Sequence, residues 1–95
     1  MKNKDKAEEA LIKLFGSTSR AGILTLLFEN ISRSFYQRKI MYETGLSLQA
    51  VQRELSHLVE LEIVKKKETN TRVYYEVNTY SPFCAPFQEV CKVVW

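Results

Sequence analysis

Tyr42-Glu43-Thr44-Gly45-Leu46-Ser47-Leu48-Gln49-Ala50-Val51-Gln52-Arg53-Glu54-Leu55 is the stretch that decides the fold. Gly45 suits the left-handed position that ends a helix, and Ser47 suits the cap that starts the next. Two helices joined by so short a glycine-containing turn make a helix-turn-helix. The first is expected over Gln37–Thr44. In the second, Ser47–Leu61, one apolar stripe holds Leu48, Val51, Leu55, Leu58 and Val59. Gln49, Gln52, Arg53, Ser56 and His57 fall on the other faces, and Glu54 is expected to point sideways.

Downstream, the hydrophobic period changes. Ile63-Val64-Lys65-Lys66-Lys67 and Arg72-Val73-Tyr74-Tyr75-Glu76-Val77 are β-branched and aromatic runs around Thr69-Asn70-Thr71, a pattern that predicts a hairpin. Threonine resists positive φ, so Asn70-Thr71 is a poor two-residue turn and a longer, looser tip is expected. Val73, Tyr75 and Val77 should pack on the helices, with Tyr74 toward the hairpin surface.

Upstream, Ser34-Phe35-Tyr36 reads as a short extended segment. Ser17, Thr18 or Ser19 caps a helix from about Ser19 to Glu29, whose Ile23-Leu24-Thr25-Leu26-Leu27-Phe28 is apolar nearly all round and belongs at the centre of the core. Gly22 inside it costs about 1 kcal/mol against alanine unless a close contact offsets this. Asp5–Phe15 is expected to be a helix closed by Gly16, and Phe87–Trp95 a final helix, with Ser81-Pro82 and Ala85-Pro86 marking helix starts. The fold class is mainly α with a β-hairpin (α+β). It is expected as a single domain over residues 1–95, with a core of about 7–78 and a terminal helix of about 83–95.

Composition narrows the function. A hydrophobic fraction of 45% and a charged fraction of 26% are those of an ordinary soluble domain, and 95 residues leave little room for most catalytic pockets. No apolar run reaches the about 18 residues of a membrane span, and Met1–Lys6 is too polar for a signal peptide. Two cysteines and one histidine give neither a disulfide framework nor zinc-ligand spacing, so the cytoplasm is the expected compartment. The net charge is +3. All of that excess lies between Asn30 and Tyr75, where eight bases face five acids, while the rest of the chain balances at six against six. A face that meets a polyanion explains this placement, and a solvated basic surface is the competing explanation.

A helix-turn-helix reader sets the start of its second helix in the major groove. There, Gln49 and Gln52 carry amides that pair with adenine N6/N7, and Arg53 a guanidinium that takes guanine O6/N7. Ser47, Ala50, Ser56 and His57 complete the expected DNA-facing surface. Lys65, Lys66, Lys67 and Arg72 crowd a mobile hairpin tip, where they repel one another unless phosphates are present. Lysines on an edge strand also guard against aggregation, which is the alternative. Thr18, Arg20, Arg33, Arg38 and Lys39 are further candidate phosphate contacts. His57 has no neighbouring Asp or Cys for a triad or metal site, and the three glycines stand singly rather than in a phosphate loop. No enzyme activity, metal or cofactor is expected.

Leu14-Phe15-Gly16-Ser17-Thr18-Ser19-Arg20, Ile23-Leu24-Thr25-Leu26-Leu27, the Tyr42–Leu55 stretch and Arg72-Val73-Tyr74-Tyr75 together resemble the ArsR-like winged-helix transcriptional regulators. They look closest to the small members found joined to, or beside, nucleotidyltransferase domains. The resemblance covers roughly Leu11 to Asn78. It implies a winged-helix dimer that binds operator DNA through the helix at 47–61 and the wing at 63–77. Three positions depart from the family. Glu62 stands where a glycine usually links the recognition helix to the wing, and a left-handed residue there would be strained by about 1–2 kcal/mol. Gly22 replaces a polar residue, and the paired Cys and His ligands of metal-sensing members are absent. A protein-interaction subunit serving a nucleotidyltransferase is the rival reading, against which the basic wing with Gln49, Gln52 and Arg53 argues.

Phe83, Phe87, Val90, Val93, Val94 and Trp95 are too many large apolar groups for a terminal helix to bury on its own body. A homodimer is therefore expected through Phe87, Val90, Cys91 and Val94, with Leu11, Leu14 and Phe15 as counterpart. Cys84 and Cys91 lie about 10 Å apart along one helix face, too far to bond each other. They read as small buried hydrophobes, with a redox or metal switch across the dimer axis as the alternative.

Overall fold

The computed structural model describes residues 12, 13 and 16–94, with 91–94 described by backbone alone. Ile12 and Lys13 are helical, and the Gly16 N–H closes onto the Ile12 carbonyl at 2.7 Å with a φ of 66°. Ser17 then caps α1 (Thr18–Glu29) by accepting from the Arg20 N–H at 3.1 Å. As its all-round apolar surface requires, α1 is the central helix: Ala21 and Ile23–Phe28 are buried. It packs on α2 (Gln37–Thr44), α3 (Leu48–Glu60) and the hairpin strand β2 (Val73–Val77).

The turn between α2 and α3 follows from three residues. Thr44 Oγ1 donates to the Ile40 carbonyl at 2.6 Å and accepts from the Leu46 N–H at 3.3 Å. Gly45 takes φ 73° while nothing lies within 4 Å of where a Cβ would stand, so the backbone angle rather than space demands glycine. Ser47 Oγ accepts from the Ala50 N–H at 3.2 Å and starts α3.

At its far end α3 closes with both bonds of a Schellman motif. The Glu62 N–H donates to the Val59 carbonyl at 2.9 Å, and the Ile63 N–H to the Leu58 carbonyl at 3.0 Å. Glu62 is the residue forced left-handed, at φ 60°. Thus the expected helix ending is kept with a non-glycine residue in it. Asn78 Nδ2 braces the Glu62 carbonyl at 3.0 Å.

The strands β1 (Val64–Glu68) and β2 pair antiparallel, Val64 opposite Val77 and Glu68 opposite Val73. Phe35 adds a one-residue third strand, its N–H and carbonyl both bonded to Tyr75 at 2.7 Å. The order is that of a winged helix-turn-helix. A last helix, α4 (Cys84–Val94), starts three residues before Phe87 and within a residue of the 83–95 bounds, with the Phe83 N–H bonded to Ser81 Oγ just before it.

Three expectations are corrected. Leu48 is 39% exposed, because the first turn of α3 projects past the core that covers Val51, Leu55 and Leu58. Val73 is 37% exposed for a similar reason, since the outer end of β2 runs beyond the helices, whereas Tyr75 and Val77 are buried. The hairpin tip is longer than two residues but not loose: Thr69 Oγ1 donates to the Arg72 carbonyl and accepts from the Arg72 N–H at 3.0 Å. The Phe87 ring packs 4.7 Å from that of Phe28 against the chain's own core, and the residue is half-buried. Leu11, Leu14, Phe15 and Trp95, and the side chains of Cys91, Val93 and Val94, lie outside the described residues.

Candidate nucleic-acid interface

Six of the sequence-selected residues of α3 and its cap, Ser47, Gln49, Gln52, Arg53, Ser56 and His57, are exposed, and Ala50 is half-buried. Glu54 does not point sideways among them. It turns inward, 3% exposed, and accepts from Arg20 Nε at 2.7 Å and Arg53 Nε at 3.3 Å. Burial pushes the Glu54 carboxyl up, but the two guanidinium hydrogen bonds and charges outweigh it and hold the group below the usual carboxylate range. Arg20 also brings Nη2 to 3.3 Å from His57 Nδ1. Arg20 is therefore part of a network beneath α3 rather than a free phosphate contact. The exposed surface from Gln49 to His57 carries no acid.

The hairpin sorts its cations by strand alternation. Lys65 and Lys67 share the face of Glu76 and Tyr74, while Lys66 shares that of Tyr75. Glu76 takes both outer lysines, Lys67 at 2.5 Å and Lys65 at 3.9 Å, and accepts from Ser34 Oγ at 3.3 Å. The Lys67 hydrogen bond is the main reason its carboxyl lies below the usual range, against the opposing effect of burial. Lys66 pairs with exposed Glu68 at 3.5 Å, and the Arg72 guanidinium sits 5.0 Å from the Tyr36 ring centroid. The expected crowding of four cations is thus relieved by Glu76 and Glu68 within the wing and by Tyr36 beside it.

Between wing and helices opens a cleft of about 780 Å³. Tyr36, Gln37, Arg38 and Met41 form one wall, Leu48 stands at one end, and Lys66, Arg72, Val73 and Tyr75 form the other wall. Gln37 Nε2 donates to the Tyr75 hydroxyl at 3.4 Å across the floor. Three cations line this space and no acid does. Arg38 has no ion-pair partner among the described residues, and the N-terminal residues of α2, capped by Tyr36 without a side-chain hydrogen bond, line the same cleft. Cations and an unpaired helix N-terminus together favour an anion.

Not every candidate is gathered here. Lys39 pairs with Glu43 at 3.0 Å, and Arg33 bonds Asn30 while lying over the Phe35 ring. Thr18 is exposed at the start of α1. Cys84 is buried, and burial pushes its thiol up, which suits a small core group. Among the described residues, no three His, Cys, Asp or Glu side chains come together as metal ligands, and no helix is long and apolar enough to cross a membrane.

Sequence reasoning missed the two carboxylates that organise the arginines and lysines. Spacing carried a signal for both. Glu54 completes an i, i+3, i+4, i+7 row with Val51, Leu55 and Leu58, and Glu76 falls opposite Lys65 in the hairpin register.

The chain matches no protein-family model and no curated protein sequence. Among solved structures it is similar to ZitR of Lactococcus lactis, determined as a double mutant in apo form, with a TM-score of 0.61 and 17% identity. The match covers 88% of this chain and 64% of that one, so this chain spans under two thirds of that neighbour's length. What the likeness carries is the fold.

Proposed function

We propose that this protein is a sequence-specific regulator that binds double-stranded DNA as a homodimer. In this reading, α3 lies in the major groove and the wing on the backbone. The observation that carries it is the acid-free exposed face of α3, with Gln49, Gln52 and Arg53, beside a cleft lined by Arg38, Lys66 and Arg72. Amides and a guanidinium read base edges, and a basic cleft under a wing seats phosphate. The winged-helix fold shared with ZitR supports the reading.

Selection of bound sequences from random duplexes tests it. A paired motif is expected to emerge, because a two-fold dimer reads two half-sites. If about six to ten phosphates are neutralised, affinity should drop roughly 10³–10⁵-fold between 50 and 200 mM salt. No binding at low salt, or binding indifferent to salt, refutes the proposal.

A further inference from the structure

We infer that Glu54 is a positioning residue for DNA readout: from beneath α3 it fixes Arg53 by one edge and leaves the other edge to select a base. This inference rests on the proposed function. Its basis is the Arg53–Glu54–Arg20–His57 chain, in which a carboxylate 3% exposed holds one Nε of each arginine.

An arginine is a long side chain with many rotamers, and a bidentate contact with guanine demands one plane and one direction. Arg53 is 56% exposed, so packing alone does not confine it. The Nε–H bond to Glu54 does, because guanidinium is planar and fixing one N–H fixes the orientation of the other four. Both Nη groups of Arg53 have no partner among the described residues, and this is the pair that reaches guanine O6 and N7. Arg20 plays the opposite part. Its own Nε bond at 2.7 Å balances the carboxylate from the body side, so Arg53 is oriented without having to neutralise Glu54 alone.

The charge has a second effect. A carboxylate under the reading helix repels every phosphate equally, whatever the sequence. Glu54 therefore sharpens preference by aiming Arg53, and separately lowers affinity for every duplex by the same factor.

The test compares wild type, Glu54→Gln, Arg53→Ala and the double variant. Dissociation constants are measured on the selected duplex and on a scrambled duplex of equal length. Arg53→Ala should lower the ratio of the two by roughly 5–150-fold per half-site. Glu54→Gln should lower it by at least about fivefold, the low end of that range, while tightening scrambled DNA roughly twofold, as expected for one charge removed about 8 Å from phosphate in water. A merely structural defect would weaken both duplexes together. In the Arg53→Ala background, Glu54→Gln should change the ratio no further.

An equal loss of ratio in both backgrounds, or a Glu54→Gln ratio like wild type, overturns the positioning role. An Arg53→Ala ratio like wild type refutes something else, the base reading by Arg53 that the inference needs. A second measurement requires no variant to fold. In the DNA-free wild-type protein the Arg53 Nε–H should give a resolved, slowly exchanging nuclear magnetic resonance signal, and a signal averaged with solvent overturns the inference.

Discussion

Replacing Glu62 by glycine should stabilise this protein, although it removes a side chain and adds no contact. Glu62 sits at φ 60°, where an L-residue pays about 1–2 kcal/mol. Every bond that defines the site is made by backbone atoms of residue 62 or by its neighbours. The Glu62 N–H reaches Val59, its carbonyl accepts from Asn78, and the Ile63 N–H reaches Leu58. Glycine keeps all three. Against the relieved strain stands the greater freedom of glycine in the unfolded chain, about 0.4–1 kcal/mol. The net gain is about 0.5–1 kcal/mol, or roughly 2–8 °C in melting temperature for a domain of this size.

Thermal and urea unfolding should be run at one protomer concentration, because any association shifts the apparent midpoint. Glu62→Ala is the control: it deletes the carboxylate but keeps the left-handed strain, so its midpoint should stay within a few tenths of a kcal/mol of wild type. The urea midpoint of Glu62→Gly should rise with an unchanged slope. A glycine variant no more stable than the alanine variant would refute the strain argument.

Thr25 Oγ1 is buried with no hydrogen-bond partner among the described residues, so Thr25→Val should raise stability by about 1–2 kcal/mol in urea titrations. Glu54 and Glu76 both have folded carboxyls held below their ordinary range, so their stabilisation is present above the unfolded-state value and is lost as pH falls through the folded one. The stability gap between wild type and Glu76→Gln should accordingly close on acidification, read from urea midpoints across the acid range. Lys66→Ala and Arg72→Ala should weaken all duplexes about equally, whereas Gln52→Ala should cost roughly 1–3 kcal/mol on the selected duplex alone, as binding titrations would show. Val90 is 36% exposed on α4, and Val90→Glu should dissociate the proposed homodimer in sedimentation equilibrium. That substitution spares Phe87, whose loss would uncover Phe28 within one subunit.

Local chemistry made most of the architecture legible. Gly45 and Ser47 act within one turn of the chain, and the bounds they implied for α2 and α3 hold to a residue. The apolar run of α1 required burial from any direction and received it. What escaped sequence reading depends on where an element stops relative to its neighbours. Leu48 and Val73 obey the periodicity of their elements, yet they sit at ends that overhang the core. They line the cleft for that reason. Glu54 escaped for a different cause. Its spacing pointed inward and its charge outward, and the partner that reconciles the two, Arg20, is 34 residues away. Tyr36 and Gln37 carry no pattern of their own and join the site only because Phe35 is stitched to β2.

That stitch has a mechanical meaning. Phe35 and Tyr75 exchange two hydrogen bonds at a single residue pair, and two residues beyond Phe35 α2 begins. The hairpin is therefore a lever whose fulcrum lies at Tyr75, with its free arm toward Thr69 and its short arm tied to the first turn of α2. Tilting the free arm exerts a torque on the segment carrying Tyr36 and Arg38. The two walls of the cleft are geared together through one residue pair, so a force that spreads them is converted into rotation of α2 beside α3.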